Sequence, residues 1–185
     1  LNKKNISNGN IVKLFETQYF IVINGLSENN NSVYFTMADV TSAPNLVNLG
    51  IYEMNIAGRN VRKINLYHKN EIFLITHLFA KNHYIYSLNI SIDGGTTYWI
   101  SKNSPIKNEI FVVVEALYSV RYPAISNNGK KVVYSANKFG NYDLFINDLD
   151  TNLITRITNY SSDTISPSFS QDDTRIIFSS NKDGN

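Results

Sequence analysis

The 185-residue sequence contains no cysteine, which excludes disulfides, thiolate metal sites and cysteine nucleophiles. No unbroken apolar run is longer than Ile110 to Val114, far short of the ~20 residues that cross a bilayer as a helix. Charge is also scarce: 17% of residues are ionisable side chains of Asp, Glu, Lys or Arg, against roughly 25% in an average globular chain. The 17 basic and 15 acidic residues leave a net charge of +2 and are scattered, so nothing marks nucleic acid as a partner. The opening LNKKNISNGN is polar and lacks the apolar core of a secretory signal. That suits either a cytosolic protein or an envelope protein whose signal has been removed.

Helical periodicity is nearly missing too. In its place stand short β-branched and aromatic runs separated by Asn, Gly, Asp or Ser: YFIVI, SVYFTM, GIYEMNI, EIFLI, YIYSLNI, TTYWI, EIFVVV, KKVVYS, DLFINDL and RIIFSS. These predict an all-β chain.

Internal repetition narrows the choice among β architectures. YPAISNNGKKVVYSANKFGN (122–141) aligns without gaps on SPSFSQDDTRIIFSSNKDGN (166–185), matching Pro123 with Pro167, Ser126 with Ser170, Gly129 with Asp173, and Gly140-Asn141 with Gly184-Asn185. A weaker echo joins IYEMNIAGRNVRKIN (51–65) to LFINDLDTNLITRIT (144–158), about two periods apart, so one degenerate unit is expected between them. A period in the forties built from four short strands predicts a β-propeller of four-stranded blades. The blade-like units are expected at about 11–65, 66–101, 102–158 and 159–185. In this division 102–117 reads as an insertion in the third unit, and the opening strand of the second is shortened or lost. About three and a half blades fall short of the usual four to eight, so a piece of a longer propeller is expected.

These repeats resemble the TolB-like, WD40-like (PD40) family, whose units read as a proline, a Ser-Pro-Asp-Gly turn, a basic residue and apolar strand, an Asp-Gly-Asn turn, then strand-turn-strand closing on Leu-Thr. The match is clear from about 120 to 185, partial over 33–65 and poor between. It departs in the turns, where Asn127-Asn128 and Gln171-Asp172 replace Pro-Asp, and Asp173 replaces Gly. Asn and Asp tolerate φ > 0 better than other non-Gly residues, so the turn itself can persist. The resemblance implies a non-enzymatic protein-binding scaffold, periplasmic or otherwise in the bacterial envelope, with a peptidoglycan-associated lipoprotein as partner and no cofactor.

One other stretch invites a chemical reading. Ser91-Ile92-Asp93-Gly94-Gly95-Thr96-Thr97-Tyr98 is similar to the Asp-box of sialidases and several non-catalytic propellers. The spacing favours a hairpin device: Asp93 can accept backbone N–H groups, Gly94-Gly95 supply the turn, Ser91 and Thr97 can tie the strands, and Tyr98 packs. Asp148 to Asn152 alternate oxygen ligands as a calcium loop does, but lie where the repeat demands a hairpin. Three histidines, at 68, 77 and 83, lack zinc-helix spacing, and no Gly-x-Ser-x-Gly elbow occurs. No catalytic or metal-ligating residue is therefore assigned. Two enzyme-linked alternatives stand beside the scaffold: the gating propeller of a prolyl-oligopeptidase-like serine peptidase, and a sialidase-like glycoside hydrolase.

Overall fold

The computed structural model describes residues 2–4, 11–13, 17, 20–27, 30–39, 47–57, 60–64, 73–81, 84–91, 97–104 and 109–182. Sixteen strands and no helix occur among them. A short antiparallel pair, β1 (Asn2–Lys4) and β2 (Ile11–Lys13), precedes three four-stranded antiparallel sheets. The first sheet holds β3 (Phe20–Leu26), β4 (Ser32–Asp39), β5 (Val47–Asn55) and β6 (Arg62–Ile64). The second holds β7 (Phe73–Lys81), β8 (Tyr84–Ser91), β9 (Thr97–Ser104) and β10 (Glu109–Ala116). The third holds β11 (Val120–Ile125), β12 (Lys131–Phe139), β13 (Asn141–Asp148) and β14 (Ile154–Arg156), and β15 (Thr164–Phe169) pairs with β16 (Ile176–Ser180) after it.

Within each sheet the strands pair in chain order, and the opening strands of successive sheets touch: β3 on β7, β7 on β11, β11 on β15. Meandering sheets stacked around shared first strands are the blades of a β-propeller. Burial follows that radial plan. Val33–Met37 and Val132–Ala136, on the second strands, are buried on both faces, whereas Ile154-Thr155 on the outer β14 are exposed. Strands covered on both sides need continuous apolar runs, which is why SVYFTM and KKVVYS do not alternate. A core forms between blades: Tyr86, Ile100 and Val114 of the second sheet interlock with Val120, Val132, Tyr134 and Phe145 of the third. Asn147 crosses the same boundary, its Nδ2 donating to the Val113 carbonyl at 2.6 Å.

Sheet order corrects the second and third units. Glu109–Ala116 is no insertion in the third; it pairs along β9 as the outer strand of the second sheet. Nor is that sheet's opening strand lost, since β7 runs nine residues. The repeat signature is absent there because β7 carries no proline, not because a strand is missing.

Candidate binding face

Antiparallel order sends each blade's turns to two ends. In the third sheet the β11–β12 and β13–β14 turns lie at one end, while the β12–β13 turn and the entry to β11 lie at the other. The repeat-signature residues gather mainly at the first. Pro123 and Pro167 sit in bulges of β11 and β15, beside Tyr122 and Ser166, which have φ of 51° and 55°. A residue without an N–H is tolerated where the ladder is already interrupted. Ser126 and Ser170 then pin the following turns: the Lys131 N–H donates to Ser126 Oγ at 2.8 Å, and the Arg175 N–H to Ser170 Oγ at 3.0 Å. Gly129 takes φ 71° and Asp173 φ 59° at the matching turn position.

Asp173 is more than a tolerated replacement for glycine. Its carboxylate accepts the backbone N–H groups of Asn127 at 2.6 Å and Asn128 at 2.8 Å, latching one blade's turn to the next. Asn127 Nδ2 answers by donating to the Ser170 carbonyl. Lys130 and Asp150 form an ion pair at this end, and Asp148 accepts the N–H groups of Asp150 and Thr151 as a hairpin residue does. The side-chain oxygens of Ser126, Asp148, Ser170 and Asp173 are thus occupied by the fold.

The other end differs. Arg121 lies 4.9 Å from the ring centre of Tyr142, Lys138 5.8 Å from Tyr118 and 5.5 Å from Phe139, Arg156 4.5 Å from Phe139, and Lys182 4.5 Å from Tyr160. All fall within cation–π reach. Tyr142 is fixed by donating its hydroxyl to Ser119 Oγ at 2.8 Å, and its N–H donates to Asp163. Phe139 stacks on Phe145 yet remains 59% exposed, and Leu117 on the loop before β11 is 86% exposed. Beneath them Asp143, 1% exposed, holds Arg156 and accepts the Thr158 hydroxyl, whose oxygen lies 2.9 Å from the Thr164 hydroxyl of the next blade. Gly140, φ 107°, and Asn141 form the β12–β13 turn at this end. Sequence reasoning missed the face because its cations come from four separate segments; the repeat offset aligned the turns and said nothing of which rings they cover.

Of the Asp-box-like stretch, Ser91 and Thr97 pair across β8 and β9, and Tyr98 packs against the inter-blade core. Asp93, Gly94 and Gly95 lie outside the described residues, as do Gly184 and Asn185. Among the described residues no group of three or more His, Asp or Glu could hold a metal ion, and no helix is long and apolar enough to cross a membrane. Burial pushes the Tyr86 phenol up to about 12 and the Tyr134 phenol upward as well.

No protein-family model matches the chain. The Tol-Pal system protein TolB of Francisella tularensis subsp. holarctica (strain OSU18) is 30% identical over 108 residues, covering 58% of this chain and 22% of that protein. The chain is similar to TolB. The matched part is less than a quarter of TolB's own length. Among solved structures, oligogalacturonate lyase from Vibrio parahaemolyticus superposes with a TM-score of 0.75 at 18% identity, over 99% of this chain and 51% of the lyase. TolB from Acinetobacter baumannii gives 0.65 at 10% identity, over 96% and 42%. A puromycin-hydrolyzing peptidase of Mycobacterium tuberculosis gives 0.63 at 9%, over 88% and 28%. At such identities the likeness is one of fold.

Proposed function

We propose that the chain acts as a TolB-like, non-enzymatic protein-binding scaffold of the bacterial cell envelope, with a peptidoglycan-associated lipoprotein as its partner. The observation that carries this reading is the end of the third blade where Arg121, Lys138 and Arg156 lie over aromatic rings beside the exposed Phe139 and Leu117. Aromatic residues and Arg dominate protein-binding hot spots because they bury large areas at low entropic cost. The similarity to the Tol-Pal system protein TolB supplies the partner and the compartment by analogy. In this reading the stretch from Ser91 to Tyr98 is a hairpin device, with Asp93 tying the β8–β9 turn.

The fold likeness to a peptidase favours one second reading, a gating propeller attached to a serine peptidase domain. An α/β-hydrolase segment with a Gly-x-Ser-x-Gly elbow in the same gene product would establish it. A sialidase-like hydrolase finds less support, because such chemistry needs clustered arginines and an ionisable tyrosine. Arg62 and Arg156 are tied to Glu53 and Asp143 in different sheets, so these two arginines do not cluster.

The scaffold reading is tested by immobilising the soluble domain of the Francisella peptidoglycan-associated lipoprotein and titrating it with the folded chain. Saturable binding with a Kd of about 10 μM or tighter, near −7 kcal/mol, is expected. Absence of binding up to about 100 μM would sink the reading.

A further inference from the structure

Charge is distributed unevenly between the two ends of the third and fourth blades. At the latched end Lys130 is paired with Asp150, Asp148 feels the charge of Lys131, and the turns carry four carboxylates, Asp148, Asp150, Asp172 and Asp173, against Lys130, Lys131 and Arg175. At the aromatic end the exposed Arg121, Lys138 and Lys182 take part in no ion pair among the described residues. Of the acidic groups there among the described residues, Asp143 is buried against Arg156, and Asp163 accepts the Tyr142 N–H. Glu115 is exposed but lies on β10, the outer strand of the neighbouring blade.

We propose that this face takes an acidic peptide segment carrying an apolar anchor, with Arg121, Lys138 and Lys182 meeting carboxylates and Phe139 and Leu117 packing the anchor. The inference rests on the scaffold reading and names the chemistry of its partner. A cation over a ring keeps its outward side open to a carboxylate while the ring fixes its position, so less side-chain freedom is lost on binding. Phe139 is likewise held in place, by Phe145 on one side and Arg156 on another. Polyanions such as nucleic acid call for a continuous basic stripe, and here apolar side chains interrupt the cations.

Fluorescence anisotropy with the full chain tests it, using a labelled Glu-rich peptide with a single Leu, the same peptide with Gln for Glu, and polygalacturonate as competitor. The acidic peptide should bind at least tenfold more tightly than its Gln counterpart, and more weakly as salt rises from about 0.05 to 0.3 M. Arg121→Glu with Lys138→Glu should weaken it about tenfold or more, while Lys130→Glu at the opposite end should leave it unchanged. Circular dichroism of each variant shows that the fold is kept; all three side chains are exposed, so it should be. Equal binding of the Gln peptide, equal loss in Lys130→Glu, or tighter binding of polygalacturonate would overturn the proposal. Failure of the acidic peptide while the lipoprotein domain still binds overturns this inference alone; failure of both overturns the scaffold reading with it.

Discussion

The two ends of the third blade are built from the same strands, yet they use polar chemistry in opposite ways. At the β11–β12 end, side-chain oxygens of Ser126, Asn128 and Asp173 accept backbone N–H groups within a few residues or from the next blade. At the β12–β13 end, cations rest on rings and point to solvent. A turn whose donors are all met from inside the fold has little left for a partner. Rings and cations left exposed at the opposite end do. The two ends therefore differ in what they leave over: one turns its side-chain oxygens inward to the backbone, and the other leaves rings and cations exposed.

Asp143 is where that comparison can be broken most severely, because it is the deeply buried carboxylate of the otherwise open end. It binds Arg156 and accepts from Thr158, whose hydroxyl also takes the Leu144 N–H at 2.8 Å and meets Thr164 across the blade boundary. Asp143→Ala should therefore cost about 2–4 kcal/mol in urea unfolding, the range for removing one partner of a buried charged hydrogen-bond network. It should also free Arg156, 28% exposed, to swing away from Phe139. A loss below about 0.5 kcal/mol would mean that both ends tolerate change equally and that the contrast is one of exposure only.

How far the fold was legible follows from what a repeat records. Pro123 and Pro167 announce a bulge and a strand, and the gap-free match of 122–141 to 166–185 places β11, β12, β15 and β16 in equivalent positions. The second blade was misdivided because its opening strand, FLITHLFAK, has Thr76 at the bulge where β11 and β15 have proline, and nothing in the pattern marks its start. Likewise EIFVVVEA reads as any apolar strand; only pairing with β9 assigns it to a sheet. The latch was half visible. Asp173 stood out as a departure from glycine, but its partners Asn127 and Asn128 lie in another blade, and a carboxylate does not name its donors from sequence. The aromatic end was illegible for the same reason, since Arg121, Lys138, Phe139 and Tyr142 meet only after three strands have folded back on one another.

A smaller effect separates the latch from the local conformation that carries it. Asp173 has φ 59°, where a Cβ is strained, so Asp173→Ala loses the bonds from the Asn127 and Asn128 N–H groups and from Asn127 Nδ2 and keeps the strain. Asp173→Gly loses the bonds and relieves it. Alanine should destabilise by about 1–2 kcal/mol and glycine by roughly 1 kcal/mol less, because the freed N–H groups are exposed and water can take them. Neither should alter binding of the acidic peptide at the far end. If glycine restored full stability, the contacts would contribute nothing and the departure from glycine would be incidental.

The smallest expected effect is acid sensitivity of the turn end alone. Hydrogen bonds from the Ser170 and Thr174 hydroxyls and the Thr174 N–H hold the Asp172 carboxyl at about 2, below its ordinary 3.8. Asp148 is lowered in the same direction, chiefly by the backbone and side chain of Thr151. Because the unfolded chain takes up these protons first, the stabilisation is complete above about pH 4 and is lost as pH falls toward 2. Both groups are fully exposed, so solvent screens the contribution and the slope should be shallow. Unfolding midpoints of the parent and Asp172→Asn should therefore converge between about pH 4 and pH 2, with the parent ahead only at the higher pH. Parallel curves over that window would show that Asp172 orders its turn no better when charged, and the turn end would then owe its rigidity to the Ser170 hydroxyl and the Asp173 latch.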